Sequence, residues 1–147
     1  MRDVVLGFCK GEGIEVRGTG DGAIFPVTFK GESGPIGGLM RVDEVTGVIA
    51  VYTVFAKTVP SQRMTAVLEL VARLNFGHVL GNLEIDVDSG ALRFKTSLDV
   101  EGEEVTEGLV ANCVYANIAS FEQMLPALTA VIDAGEPVPQ ALQRIVT

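Results

Sequence analysis

A change of hydrophobic period within residues 59–98 constrains the fold of this chain most strongly. Over residues 60–76, apolar residues recur at steps of three and four, which places them on one face of an α-helix. Over residues 82–98, apolar and polar residues alternate one by one, as in a β-strand with one dry and one wet face. We therefore predict a helix over the first stretch and a β-hairpin over the second.

The residues at the ends of these two elements support the prediction. Pro60 suits the first turn of a helix, because the N–H group that proline lacks is unpaired there in any case. Gly77 can adopt the left-handed conformation that closes a helix. Asp88, Ser89 and Gly90 are typical of a tight turn between two strands. We expect the helix to end near Gly77 and the hairpin to reverse at residues 88–90.

Upstream of this stretch, the sequence predicts one helix and three strands. Helical spacing predicts a short helix over residues 3–10. Strand patterns follow at residues 25–29, 39–42 and 48–55. The glycine-rich stretch of residues 31–38 is predicted to be a loop that joins the first two of these strands.

The last helix is predicted to begin after Thr106, a suitable N-cap, and its apolar stripe continues for about seven turns. Pro126 lies inside the stripe, where a proline costs about 3 kcal/mol because it removes a backbone hydrogen bond and clashes with the preceding turn. The stripe nevertheless stays in phase across Pro126, which favours one helix with a kink near Glu122. The alternative is a new helix that begins at Ser120, with Gln123 completing a capping box.

Together these elements predict an α+β domain with the order α-β-β-β-α-β-β-α. Because strands joined by short turns pair antiparallel, we expect one antiparallel five-stranded sheet with helices packed on one face. Its 147 residues suit a single domain over residues 1–147. We expect the core within residues 3–133 and a short C-terminal tail over residues 134–147. Residues 14–17 are a further candidate for a short strand, and residues 18–22 and 140–146 are predicted to be turns.

Charge and composition narrow the classes of partner. The formal net charge of -8 argues against nucleic acid and acidic membranes, since both require a basic surface. The most apolar run, residues 48–56, is shorter than the roughly 20 residues that span a bilayer. Residues 1–3 are not followed by a long apolar segment and a cleavage site, so we expect no signal peptide. The cysteines, Cys9 and Cys113, are too few for a disulfide framework and are predicted to be buried, reduced thiols. We therefore expect a cytoplasmic protein.

The residues that most resemble a chemical site each have a simpler structural interpretation. Residues 86–90 resemble the start of a calcium loop but lack its terminal glutamate, which favours a turn. His78, the only histidine, is interpreted as a loop residue. Cys113 lies among apolar helical neighbours that keep a thiol unreactive, and Asn75 is predicted to bond to backbone groups at the helix end. We predict no catalytic residue, no metal ligand and no cofactor.

Acidic residues gather in and after the predicted hairpin. Their simplest role is to form a solvated surface, and the alternative role is to attract a basic segment of a client protein. These residues are Glu84, Asp86, Asp88, Asp99, Glu101, Glu103, Glu104 and Glu107.

Several short segments occur in the order and spacing of a known family. They are residues 59–60 (VP), 70–75 (LVARLN), 81–86 (GNLEID), 88–90 (DSG), 93–94 (RF) and 121–128 (FEQMLPAL). With the order of elements, they resemble the YbjN family, whose fold is like that of type III secretion chaperones. The resemblance covers about residues 3–133 and implies a dimeric α+β domain with a non-enzymatic binding, regulatory or chaperone-like role. The resemblance does not identify a client protein, because the chain has no evident effector or secretion context.

Two functional hypotheses follow. In the first, the chain is a homodimeric protein-binding module that holds a protein client, or its own second copy, on an apolar surface. Because residues 48–55 are apolar on both strand faces, we expect Val51 and Thr53 to face outward and contact the partner. In the second, the chain is a small-molecule sensor or minor enzyme. Its ligand would lie between the sheet and the final helix, where a kink at Pro126 opens a gap.

Overall fold

The computed structural model describes residues 1–18 and 21–145. Thr19, Gly20 and Val146, which fall in the turns predicted at residues 18–22 and 140–146, lie outside the described residues. The elements in chain order are α1 (Arg2–Glu12), β1 (Glu15–Val16), β2 (Ile24–Gly31), β3 (Gly34–Asp43), β4 (Val48–Val54), a 3₁₀ turn (Ser61–Arg63), α2 (Met64–Asn75), β5 (Asn82–Ile85), β6 (Leu92–Asp99), α3 (Glu107–Ile132), α4 (Val138–Ala141) and a second 3₁₀ turn (Leu142–Arg144).

The strands form one antiparallel sheet with the order β1-β2-β3-β4-β6-β5. The predicted α+β class and the predicted antiparallel sheet are therefore confirmed. The predicted strand number is wrong, because the sheet has six strands rather than five. Gly13 ends α1 in the left-handed conformation and returns the chain beside β2, where Glu15 and Val16 pair with Thr28 and Val27.

The loop predicted over residues 31–38 is wrong, because most of this stretch is strand. β2 and β3 remain paired until Gly31 lies opposite Gly34, and only the two residues between them form the turn. At Gly38, an added Cβ would collide with the Phe29 ring, so the ring occupies the space of the missing side chain. Cross-strand packing of this kind outweighs the low strand propensity of glycine.

The helices agree with the predicted pattern, with small differences at their ends. The 3₁₀ turn after Pro60 leads into α2, and Gly77 has a φ of 82° just beyond the end of α2. α3 begins after Thr106, whose side chain accepts a hydrogen bond from the N–H of Leu109. It runs unbroken through Pro126. The alternative of a second helix after residue 120 is therefore wrong.

The helices cover one face of the sheet. α1, α2 and α3 pack directly on the strands, and α4 packs on α2 and α3. The core has one half under α1 and the first part of α3, where Phe29 is fully buried, and a second half under α2 and the rest of α3, where Leu70 is fully buried. Val138 and Ala141 of α4 are buried in this second half, so the core continues beyond residue 133.

β4 turns the opposite side chains toward solvent from those predicted. Val51 and Thr53 are both 0% exposed, and they lie on the face that the helices cover. The prediction that these two side chains face outward is therefore wrong. Because β4 is apolar on both faces, its alternation did not indicate which set of residues faces the helices. The uncovered face of β4 instead carries Tyr52 and Val54.

Candidate functional site

On its uncovered face, the sheet carries a network of charged side chains. Arg93 lies 4.3 Å from the centre of the Tyr52 ring and donates a hydrogen bond of 2.8 Å to Glu84. Lys95 donates a second bond of 2.5 Å to the same carboxylate. Burial raises the pKa of Glu84, but the bonds from Lys95 and Arg93 outweigh burial, and the net pKa lies below its ordinary value. The β4 side chains on this face are thus partly covered by charged neighbours.

The connection between α2 and β5 exposes three large apolar side chains within a few residues. We call this connection, residues 76–81, the apolar loop. Phe76 is 92% exposed, Val79 is 89% exposed and Leu80 is 62% exposed. Single exposed apolar residues are common on protein surfaces, but adjacent ones mark sites that contact another molecule. The apolar loop is therefore the strongest candidate for a binding surface.

His78 anchors the apolar loop to the rest of the domain. Its Nε2 atom lies 3.2 Å from the hydroxyl of Ser120, which is buried on α3. Its ring packs edge-to-face on Phe94, with centroids 5.4 Å apart and planes at 86°. The interpretation of His78 as a loop residue is confirmed, and the structure adds that its ring points inward. The apolar loop is thus held in place while its neighbouring side chains remain at the surface.

Gly81 fixes the other end of the apolar loop. Its φ is 86°, a conformation that residues with a Cβ rarely adopt. A Cβ at this position would lie 2.8 Å from Cε1 of Phe94 and 2.8 Å from Cγ2 of Thr96. The chain therefore passes so close to β6 that only glycine fits without a shift of its neighbours.

Asn75, at the end of α2, closes the outer edge of β5 at Leu83. Its side-chain amide donates to the carbonyl of Leu83 at 3.1 Å and accepts from the N–H of Leu83 at 2.8 Å. The amide thus makes the same pair of bonds that a neighbouring strand would make. The prediction that Asn75 bonds to backbone groups at the helix end is confirmed.

Beyond the start of β5, one edge of β6 lacks a neighbouring strand. β5 pairs with β6 only as far as Asn82 opposite Lys95, whereas β4 pairs with the other edge as far as Asp99. Residues 96–99 therefore pair with β4 alone, and we call this segment the β6 step. Within the part of the chain that the structure describes, no strand covers its outer edge.

Backbone hydrogen bonds show which groups of β6 face this outer edge. Leu92 accepts a bond from Phe55, and Val100 donates a bond to Gly47, so both residues bond toward the β4 side. Successive residues of an antiparallel strand direct their backbone groups to alternate sides. The N–H and C=O groups of Ser97 therefore point toward the outer edge, and Ser97 is exposed.

A small apolar cleft lies beside the β6 step. Its volume is about 130 Å³, and it is bordered by Leu80 of the apolar loop, Leu98 of β6, and Cys113 and Ala116 of α3. An apolar cavity of about 150 Å³ is large enough to bind benzene, so this cleft has room for one aliphatic side chain. Burial raises the pKa of the Cys113 thiol. Cys113 is therefore protonated at neutral pH and serves as an apolar wall, in agreement with the predicted buried thiol.

Sequence reasoning missed a buried polar cluster between α3 and the sheet. Asn117 is 0% exposed, and its Nδ2 donates to the carbonyls of Val51 at 2.9 Å and Phe94 at 3.1 Å. The same nitrogen lies 3.2 Å from the Thr96 hydroxyl, which donates to a carbonyl of α3. Oδ1 of Asn117 and Oγ1 of Thr53 have no hydrogen-bond partner among the described residues. These bonds fix where α3 lies on strands β4 and β6.

The predicted acidic cluster does not form a single surface. Glu84 belongs to the uncovered sheet face. Asp86 forms the hairpin turn, where its carboxylate accepts from the N–H of Asp88 at 3.1 Å and from the Ser89 hydroxyl at 2.7 Å. The predicted turn over residues 86–90 is confirmed.

A separate acidic group lies at the opposite end of the hairpin, next to the β6 step. We call this group, Asp99, Glu101, Glu103 and Glu104, the acidic end of β6. All four side chains are exposed. Within residues 1–18 and 21–145, none of them forms an ion pair with a lysine or arginine. Their negative charge is therefore available to an approaching molecule.

The two cysteines lie in the core. Cys9 and Cys113 are buried and free, as predicted, and burial raises the pKa of Cys9 to about 11. Across residues 1–18 and 21–145, no three His, Cys, Asp or Glu side chains group so that they could hold a metal ion. No helix in this part of the chain has the length and apolar character needed to cross a membrane.

Among residues 1–18 and 21–145, the structure shows no gap between the sheet and α3 at Pro126. Ala127 and Leu128, directly after Pro126, are 0% exposed in the core. The cleft that borders Pro126 has a volume of about 350 Å³ and lies between α3 and the β2–β3 turn. There the N–H of Glu32 donates to the Glu122 carboxylate at 2.6 Å. Directly after Pro126, the layer between the sheet and α3 is therefore filled by side chains.

Comparisons with known proteins agree with this fold. The model of the YbjN family, described as "Putative bacterial sensory transduction regulator", matches residues 1–130. Comparison with curated protein sequences gives no match.

The solved structures that are similar to the chain include the following two. One is described as "Crystal structure of YbjN, a putative transcription regulator from E. coli"; its identity is 16%, its TM-score is 0.56, and the match covers 82% of this chain and 84% of that chain. This similarity shows a shared fold. The other is "Structure of the HopA1-SchA Chaperone-Effector Complex", with 13% identity, a TM-score of 0.49, and coverage of 82% of this chain and 88% of that chain.

Proposed function

The chain belongs to the YbjN family, and from this membership we propose that it is a non-enzymatic, protein-binding regulatory module that acts in the cytoplasm as a homodimer. The family description, a sensory transduction regulator, is consistent with a protein that acts by binding other proteins. The observation that carries the proposal is the apolar loop, which exposes Phe76, Val79 and Leu80 together.

The apolar loop suits protein binding for two physical reasons. Burying one large apolar side chain against a partner contributes about 1.5–3 kcal/mol, so Phe76 and its neighbours supply a useful gain in a small area. The loop is also held by His78 and Gly81 before any partner arrives. Binding then costs little additional conformational entropy, because the backbone is already ordered.

We assign self-association to the uncovered face of the sheet. Tyr52 and Val54 lie there half-buried, with Arg93 and Glu84 beside them. In a two-fold dimer, each copy presents the same patch, so charges of both signs can pair across the axis. This assignment replaces the pair Val51 and Thr53, which the helices cover.

The experiment that tests protein binding uses a photo-cross-linking amino acid at position 76, in place of Phe76, in living cells. The control carries the same group at Val87, which is exposed on the hairpin tip. We expect discrete cross-links to another protein from position 76 only, and their loss when Val79→Ser is added. Equal cross-linking from both positions, or none from position 76, contradicts the proposal.

Self-association is tested separately by sedimentation equilibrium. Val54→Lys places a charge on the uncovered sheet face and should shift the monomer–dimer equilibrium toward monomer. Thr65→Lys, on the exposed surface of α2, is the matched control and should leave the equilibrium unchanged. A dimer that persists in Val54→Lys, or a monomeric unaltered chain, contradicts the assignment.

A further inference from the structure

We propose that the β6 step and its adjoining cleft form a strand-addition site, which binds an extended segment of another protein that carries a basic residue followed by an aliphatic residue. The inference rests on the proposed protein-binding function and specifies the kind of partner. It is carried by the backbone of residues 96–99, the cleft beside them and the acidic end of β6.

The backbone of the β6 step can pair with one more strand. The N–H and C=O of Ser97 point away from β4, and β5 ends before it reaches them. An unpaired sheet edge is a template for strand addition, and proteins usually cover or block such edges. Asn75 blocks the neighbouring edge at Leu83, whereas no described side chain bonds to the backbone of Ser97.

The cleft selects the side chain that the added strand buries. Residues directly opposite each other in a sheet project to the same face. A residue opposite Leu98 would therefore project toward the helix-covered side, where Leu80, Cys113 and Ala116 border the cleft. The small volume and apolar walls favour one Val, Ile or Leu side chain over a larger or charged one.

The acidic end of β6 selects the charge and the direction of the segment. Antiparallel pairing is slightly more stable than parallel pairing. An antiparallel segment starts opposite Asp99 and ends opposite Ser97, because Gly81 already lies against Lys95 and Thr96. Its N-terminal part then lies beside Glu101, Glu103 and Glu104, so lysine or arginine there is attracted by unpaired carboxylates. The aliphatic residue follows within about two or three positions, at the distance set by the strand repeat.

The test begins with a library of random peptides of about 12 residues, which is long enough to add one strand. The library is selected on the full chain, and the best-enriched peptide is synthesised. Its Kd is then measured by fluorescence anisotropy for the unaltered chain and for Leu80→Ser, with Val87→Ser as the matched control. We expect the enriched peptides to place a basic residue before an aliphatic one. Leu80→Ser should raise the Kd about tenfold, and Val87→Ser should leave it unchanged.

Two further readouts separate strand addition from simple apolar contact. Ser97→Pro removes the outward N–H and should abolish binding, with circular dichroism as the check that the variant folds. Amide exchange measured by NMR is independent of any variant: the bound peptide should slow exchange at Ser97 at least about tenfold.

The charge of the site is tested separately. Glu103→Lys should weaken binding about threefold at low salt, whereas Asp88→Lys at the distant hairpin tip should not.

Specific outcomes overturn the inference. These are a selection that enriches no peptide, enriched peptides without the basic–aliphatic order, or binding that leaves Ser97 exchange unchanged. Slow amide exchange at Ser97 caused by self-association of the free chain would show that a second copy binds the β6 step. This result would also overturn the inference. Cross-links from position 76 in any of these cases would show that the proposed protein binding stands while strand addition fails. Loss of those cross-links alone would contradict the proposed function instead.

Discussion

Two adjacent stretches of the same sheet edge differ in how their backbone groups are satisfied. At β5, the side chain of Asn75 takes both outward backbone groups of Leu83. At the β6 step, the outward groups of Ser97 have no such partner, and exposed apolar side chains lie alongside instead. The edge is therefore closed by a side chain at Leu83 and open at Ser97, beside an apolar surface.

The apolar loop separates these two stretches, and Gly81 sets the point of separation. Gly81→Ala should lower the free energy of unfolding by about 3 kcal/mol, because it combines a strained φ with a collision against β6. Urea denaturation measures this change. Gly77→Ala is the matched control, since Gly77 also has positive φ but open space around its Cβ, and it should cost only about 1 kcal/mol. Equal losses in both variants would contradict the close approach of the loop to β6.

Removing the side-chain amide of Asn75 should leave the outward backbone groups of Leu83 without a partner, like those of Ser97. Asn75→Ala should lower the free energy of unfolding by about 2 kcal/mol, since two hydrogen bonds to Leu83 are lost. Asn75→Asp keeps the acceptor but not the donor, and should cost about half as much. Amide exchange at Leu83 should accelerate in Asn75→Ala. An unchanged exchange rate at Leu83 would show that the amide does not close this edge.

The His78 anchor should affect the motion of the apolar loop more than the stability of the domain. His78→Ala removes the bond to Ser120 and the contact with Phe94, and should lower the free energy of unfolding by about 1 kcal/mol. Ser120→Ala removes the hydrogen bond alone and serves as the graded control. NMR relaxation should show faster motion of the apolar loop in His78→Ala than in Ser120→Ala. A loop that stays rigid without His78 would mean that Gly81 and Asn75 suffice to hold it.

The smallest effect on stability is expected from a change of pH. It acts through Glu84 on β5, the strand whose edge Asn75 closes at Leu83. The folded-state pKa of Glu84 is lowered overall, because its bonds to Lys95 and Arg93 outweigh burial. Its stabilising contribution is therefore present above the unfolded pKa of about 4.3 and is lost as pH falls below that value. The pair is partly solvated, so the loss should stay below about 1 kcal/mol.

This pH effect is measured by urea denaturation between about pH 6 and pH 3. Other carboxylates also titrate in this range, so the comparison is with Glu84→Gln, which should show a smaller fall in stability than the unaltered chain. An identical pH dependence in both proteins would show that the Glu84 ion pairs contribute nothing to the hairpin.

The sequence predicted those parts of the fold that depend on local pattern. The switch from helical to alternating period identified α2 and the hairpin, and Asn75 at the helix end was correctly read as a backbone ligand. The outward face of β4 was mispredicted, because Val51 and Tyr52 lie on opposite faces of a strand that is apolar on both. Local patterns contain no information about which face the helices cover.

The candidate site depends on features that local pattern describes only in part. Asn117 lies on the apolar stripe of α3 between Val114 and Phe121, so its position was a signal that a buried amide bonds to the sheet. Gly81 interrupts the alternation of apolar and polar residues just before β5, so β5 is shorter than β6. This difference in length was a signal that part of the β6 edge, the β6 step, has no neighbouring strand. Neither signal identified the partner groups, because these come from distant parts of the chain.

Amide exchange at Ser97 and Leu83 in the free and peptide-bound chain tests the central claim most directly. In the free chain, we predict fast exchange at Ser97, on the open edge, and slow exchange at Leu83, which Asn75 closes. The selected peptide should slow exchange at Ser97 and leave Leu83 unchanged. Slow exchange at Ser97 in the free monomer, or protection by the peptide at Leu83 instead, would contradict the account.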